Sequence, residues 1–231
     1  MHPDPRRLYQ YAKTQKAAMA PLMAEVRRKG GVNAIHELRL ATRRTRALLW
    51  VLRHGSPPLR FKALERDLRG LGRGLGAVRE LDVAIKGAQV YALDPAALKV
   101  RRGKALREAQ KLLNGKRRRR LSRQITEVID RLVAQRALSA DPVVALLHDR
   151  IAPWGGAPLP RAEVLHRLRI AVKKNRYALA ALGRPVGKLK KLQDVLGKAH
   201  DLEMLQGFLG SNALIKKDLS RLNTQVYILI G

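Results

Sequence analysis

Apolar residues, mostly Leu and Ala, recur along nearly the whole chain at the three-to-four-residue spacing of an amphipathic helix. No stretch alternates apolar and polar residues long enough to predict a strand. Leu8, Met19, Leu22 and Val26 predict a first helix, with Pro21 as a kink and Gly30-Gly31 as its stop. A second helix is predicted from Asn33, as N-cap, to Arg53, where "HGSPPL" ends it. A long segment from Pro58 to Ala92 follows, and "GLGRGLG" is expected to interrupt it. Asp94-Pro95 and Asp141-Pro142 read as N-cap plus first-turn pairs opening further helices. Asn114-Gly115 reads as a stop, followed by a helix over 117–137. After the loop "PWGGAPLP", helices are predicted over 161–182, 187–209 and 212–229. The fold class expected is all-α.

Self-comparison organises these helices. "IHELRLATRRTRALL" (Ile35 to Leu49) aligns with "LHRLRIAVKKNRYAL" (Leu165 to Leu179), with six of the fifteen positions identical. Arg43 and Arg44 become Lys173 and Lys174, so charge persists where identity does not. Downstream of each copy, "LRGLGRGLGAVRELD" (Leu68 to Asp82) aligns with "LKKLQDVLGKAHDLE" (Leu189 to Glu203), with five identities. Two matches in the same order predict an internal duplication: one helical bundle over 1–138 and a second over 139–231, shorter and so expected to be reduced.

The repeated helix has an unusual face. His36, Arg39, Arg43 and Arg46 are spaced i, i+3, i+7 and i+10, an arc of roughly 80° on a helix. His166, Arg169, Lys173 and Arg176 reproduce it. A solvated charge stripe normally lies opposite the apolar face. This one is flanked by Ile35, Leu38, Leu49 and Leu52 on one side, and by Leu40, or Ile170 and Tyr177, on the other. A basic stripe hemmed by apolar residues fits the wall of a groove or channel. The run "KRRRR" (Lys116 to Arg120) points all round its helix and reads as a solvated electrostatic attractor instead.

Composition sharpens this picture. The net charge is +30, from 48 basic and 18 acidic residues, which implies an anionic partner. Arg offers a planar fork matched to two phosphate oxygens, and Lys a mobile point charge. Aromatics are only 4%, which argues against single-strand nucleic-acid binding by base stacking. The absence of cysteine removes disulfides, thiolate metal sites and cysteine nucleophiles. No apolar run approaches a membrane span and the N-terminus lacks a signal-peptide core, so a cytoplasmic protein is expected.

Catalytic and metal motifs do not assemble. Glu163 and His166 have the spacing of a di-iron pair, but it occurs in one repeat only and its basic neighbours repel a cation. "GLGRGLG" lacks the preceding strand of a dinucleotide loop, and "GRPVGKL" is one residue short of a P-loop. Glu80, Asp82, Asp201 and Glu203 are expected to orient arginines or cap helices.

"HELRLATRRTR" with "LGAVRELDV", then "LHRLRIAVKKNRY" with "LQDVLGKAHDLE", together resemble the CHAD domain, a histidine-bearing α-helical family. The resemblance implies two four-helix bundles about a pseudo-twofold axis, and binding of inorganic polyphosphate in a basic cavity between them. It implies no catalysis, and no cofactor or metal is expected. Carried over by position, the implied contacts are His36, Arg39, Arg43, Arg44 and Arg46, with His166, Arg169, Lys173, Lys174 and Arg176. Glu80 and His200 depart from the Asp and Asn usual in the family. The function expected is non-catalytic polyphosphate binding in the cytoplasm, including at polyphosphate granules. A nucleic-acid-binding protein is the alternative, and nucleic acid a possible competitor.

Overall fold

The fold follows from helices that bury one apolar stripe each. The computed structural model describes residues 5–55, 61–134, 141–151 and 162–230, all helix or short turn. In chain order the helices are α1 (Pro5–Arg28), α2 (Val32–Gly55), α3 (Lys62–Val90), α4 (Ala96–Lys111) and α5 (Gly115–Ala134). α6 (Asp141–Ile151), α7 (Ala162–Ala181), α8 (Gly187–Leu209) and α9 (Ala213–Ile230) follow. The predicted boundary at Leu138 to Ala140, the loop "PWGGAPLP" and the side chain of Glu163 lie outside the described residues.

On α2, Ile35, Leu38, Leu48, Leu49 and Leu52 are fully buried, at the spacing of one helix face. Thr42 and Thr45, on the same face, donate their hydroxyls to the carbonyls of Leu38 and Ala41 at 2.8 and 2.9 Å, so neither leaves a buried polar group unpaired. Each successive helix packs on the last: α1 on α2, α2 on α3, α3 on α4, then α6 on α7, α7 on α8, α8 on α9. The packing order therefore repeats. α5 lies against α1, and no helix takes the corresponding place beside α6 among the described residues.

The largest core joins the two sets. It runs from Leu8 and Met19 of α1 through α2, α3 and α5 to Val143 and Leu147 of α6 and Ala178 of α7. Leu98 of α4, Leu205 of α8 and Ile215 of α9 form a second cluster with the C-terminal part of α3. Leu168, Val172, Leu192, Leu196 and Val226 form a third within α7, α8 and α9.

Four local expectations change. Asn33 does not cap α2, because the helix already begins at Val32. "GLGRGLG" does not interrupt its segment, because α3 is continuous from Lys62 to Val90. Glycine weakens an isolated helix by about 1 kcal/mol per residue, yet these glycines let neighbours approach. A Cβ on Gly74 would lie 2.7 Å from Leu112 Cδ1, and one on Gly76 3.8 Å from Arg39 Nε. The cap of α4 falls one residue later than expected, on Pro95, and Asp94 before it accepts from the Ala96 amide at 2.9 Å. Asn114 starts a helix more than it stops one: α4 ends at Lys111, and Asn114 Oδ1 accepts from the Arg117 amide at 2.9 Å in the first turn of α5.

Candidate functional site

α2, α3, α8 and α7 each touch the next, and α7 returns to α2, so the four form a closed ring. Both pairs of repeated sequence lie on these helices, which brings the two basic stripes face to face. Inside the ring is a cavity of about 170 Å³. α2 contributes His36, Arg39 and Arg43, and α7 contributes Arg169 and Lys173. Arg79 and Glu80 enter from α3, and Gln193, His200 and Asp201 from α8. Gly197 also lines it, where a side chain would take up the space.

A second, wider cavity of about 410 Å³ shares Arg43 and Lys173 with the first. It continues along α2 past Arg46 to Trp50 and Arg53, is bounded by Glu65 and Arg69 of α3, and includes Lys174 and Tyr177 of α7. The two make one basic seam between α2 and α7. The stripe from His36 to Arg53 advances about 25 Å along the helix axis at 1.5 Å per residue.

The electrostatics of the seam are those of crowded cations. Burial, then Arg169, Arg43 and Arg39, pull the Lys173 ammonium down to about 7. Burial and Arg43 lower the Arg39 guanidinium to about 10, opposed by Glu80. Burial also lowers Arg46 and Arg169. The same cause lowers both histidines, with Arg79 the next contributor at His36 and Arg169 at His166. Burial raises the Asp201 carboxyl although His200, Arg169 and Arg79 pull it down. Arg169 Nε is buried with no hydrogen-bond partner among the described residues. A buried donor of this kind calls for an acceptor.

Seven of the ten residues expected at the site line the seam: His36, Arg39, Arg43, Arg46, Arg169, Lys173 and Lys174. His166 stands at its edge, its ring 5.9 Å from that of His200. Arg44 and Arg176 line neither cavity. Both act on the buried Tyr11 phenol, which burial raises to about 12. Arg176 lies 4.9 Å from the Tyr177 ring and Arg43 5.6 Å from it.

Sequence reasoning missed Arg53, Arg69 and Arg79. For Arg79 a signal existed: in the second aligned pair it stands opposite His200, as Glu80 stands opposite Asp201, and all four line the narrow cavity. Asp82, by contrast, is turned away. It is 6% exposed and pairs with Arg102, which also donates to the Gly30 carbonyl at 3.0 Å, so it ties α3 to α4 and to the α1–α2 turn. Glu203 faces His200 at 3.7 Å.

An all-helical body with a basic seam inside a four-helix ring is the class this architecture defines. The CHAD domain profile matches residues 10–210, and the chain belongs to the CHAD domain family. The fold is shared with the crystal structure of the CHAD domain from the plant Ricinus communis, at TM-score 0.72 and 20% identity over 99% of this chain and 89% of that one. It is also shared with PptA from Streptomyces chartreusis, at TM-score 0.65 and 16% identity over 99% and 95%. Among curated proteins nothing matches.

Proposed function

We propose that this protein binds inorganic polyphosphate along the seam between α2 and α7, without transforming it. The observation that carries the proposal is the meeting of the two basic stripes: Arg39 and Arg43 from one repeat share a cavity with Arg169 and Lys173 from the other. So many partly buried cations repel one another, and a linear chain of phosphates supplies one negative charge after another along the seam. Family membership supports the ligand class, because the CHAD family is associated with polyphosphate-related ligands. The proposed setting is the cytoplasm, including polyphosphate granules. No helix of the described residues is long and apolar enough to cross a membrane.

Binding is favoured over catalysis by where the carboxylates stand. Glu80 and Asp201 are set among Arg39, Arg79 and Arg169, whose positive field surrounds them. A carboxylate in that field is a poor ligand for the divalent cation that phosphoryl chemistry uses.

Nucleic acid has one observation in its favour, since Trp50 and Tyr177 line the wider cavity and aromatic rings stack on bases. Tyr177, however, is 4% exposed and already meets Arg43 and Arg176. Competition separates the readings. Labelled long-chain polyphosphate should be displaced by unlabelled polyphosphate and not by DNA or RNA at equal phosphate concentration in about 150 mM salt, where non-specific nucleic-acid binding weakens. Equal displacement by all three would replace this proposal with general polyanion binding.

A further inference from the structure

A third basic cavity, of about 390 Å³, lies on the far side of α3, between α3 and the start of α5. Arg66 and Arg73 of α3 and Arg117 and Arg120 of α5 line it, against the single carboxylate of Asp67. Arg120 Nη2 donates to Asp67 Oδ1 at 2.7 Å, while Arg120 Nε is buried with no partner among the described residues. Three arginines are thus left without a carboxylate in the cavity. They come from two helices, one of which carries the "KRRRR" run, so the cavity gives part of that run a defined wall.

The cavity is separated from the seam only by the ridge of α3. Arg69 lines the seam and Arg73, one turn on, lines the third cavity. Of the glycines between them in sequence, Gly70 lines the third cavity and Gly72 faces Thr42 and Arg46 of α2. A Cβ added at Gly70 meets nothing within 4 Å, and one at Gly72 lies 3.6 Å from Thr42 Cγ2 and 3.8 Å from Arg46 Nη1. The two cavities are therefore linked along α3 by Arg69 and Arg73, neighbours at i and i+4 on the helix surface. Arg46 is lowered by burial and by both Arg69 and Arg73, so the cations of seam and ridge already act on one another.

We propose that the cavity between α3 and α5 is a second phosphate-binding site, which holds the continuation of a long polyphosphate chain after it leaves the seam and crosses α3 by Arg69 and Arg73. The inference rests on the polyphosphate reading of the seam. It makes the protein selective for long chains, because a short one fills the seam and never reaches Arg117.

Affinity for tripolyphosphate and for long-chain polyphosphate, each measured across a range of salt, tests this on the full chain. Arg66→Gln with Arg117→Gln removes two exposed cations. It should weaken long-chain binding roughly tenfold, as the removal of two surface ion pairs would. It should also flatten the dependence of log affinity on log salt by about two, one for each phosphate no longer neutralised. Tripolyphosphate binding should not change. Lys116→Gln with Arg119→Gln removes the same charge from exposed α5 positions outside the cavity and should do much less. Gly70→Glu, which fits sterically, should reproduce the long-chain defect by placing a carboxylate in the cavity.

Equal losses from the two double variants would overturn the second site, leaving net charge as the explanation. So would a loss of tripolyphosphate binding in the cavity variant. If Arg39→Glu abolishes long-chain binding and the cavity variants leave it intact, the second site alone falls. If the parent protein binds no polyphosphate, both proposals fall together.

Discussion

Lys173 is the residue on which the seam presses hardest. Arg169 on its own helix and Arg39 and Arg43 on α2 face it, with Asp201 of α8 in partial opposition, and its ammonium falls to about 7. His36 and His166 are lowered in the same field, His36 by burial, Arg79, Arg39 and Arg43 against Glu37, and His166 by burial, Arg169, His200 and Lys173 against Glu203. A bound polyanion reverses that field and raises all three. Binding therefore takes up protons, and the added affinity is fully present below the free-state value, about 7 for Lys173, and disappears as pH rises through the higher bound-state value. Calorimetry at pH 7.5 in buffers of different ionisation enthalpy should show net uptake, reduced in Lys173→Gln. Uptake that persists unchanged in Lys173→Gln, and falls in His36→Gln with His166→Gln, would assign the protons to the histidines. Spacing alone placed these cations on one face. It could not tell that Arg46 and Lys174 would enter the seam while their repeat counterparts Arg176 and Arg44 would turn to the tyrosines, because α1, which carries Tyr11, touches α7 as well as α2.

Elements were legible where a strong apolar stripe met a clear breaker, and less so where glycine or Asx chemistry was ambiguous. α8 occupies the predicted span 187–209, and α2 extends its predicted span by a residue or two at each end. At "GLGRGLG" residues that permit a turn are kept in a helix because tertiary packing repays it, whereas Asn114 stands at a true break and caps the helix that follows. Gly30 is the opposite case, a stop that the chain requires. Its φ is +63°, and a Cβ there would lie 2.5 Å from Leu106 Cδ1 and Cδ2. The left-handed conformation alone penalises a side chain by about 1–2 kcal/mol, and the clash with α4 adds to it. Gly30→Ala should lower the melting temperature by at least several degrees, read by circular dichroism, with affinity for polyphosphate unchanged below the transition. Gly31→Ala meets nothing within 4 Å and should have little effect. Similar losses from both would remove the special role given to Gly30.

The whole molecule brings together charges that only a ligand reconciles. A net charge of +30 and a ring of helices that turns cations inward both oppose compaction. A ligand that binds the folded state alone stabilises it by about 2.7 kcal/mol at a hundred times its dissociation constant. For a chain of this length that is a rise of roughly 5–10 °C in melting temperature. Saturating long-chain polyphosphate should produce it at low salt, with a smaller rise at high salt, and no rise at saturation would contradict a preformed site. At this scale the all-helical class and the family were legible in the sequence, from the apolar spacing and the four motifs. It did not show that α2 and α7 would pair across the repeats. Nor did it show that α6 would share the first core, because neither pairing has a local signature.

The measurement that bears most directly on the seam is polyphosphate affinity after charge reversal at one residue from each stripe. Arg39→Glu and Arg169→Glu should each weaken binding by about a hundredfold or more, since a charged hydrogen bond contributes about 1.5–3 kcal/mol and reversal adds repulsion. Lys190→Glu, an exposed change of the same sign on α8, should cost a small fraction of that. Equal losses at all three positions would contradict a shared seam and leave overall charge as the whole explanation.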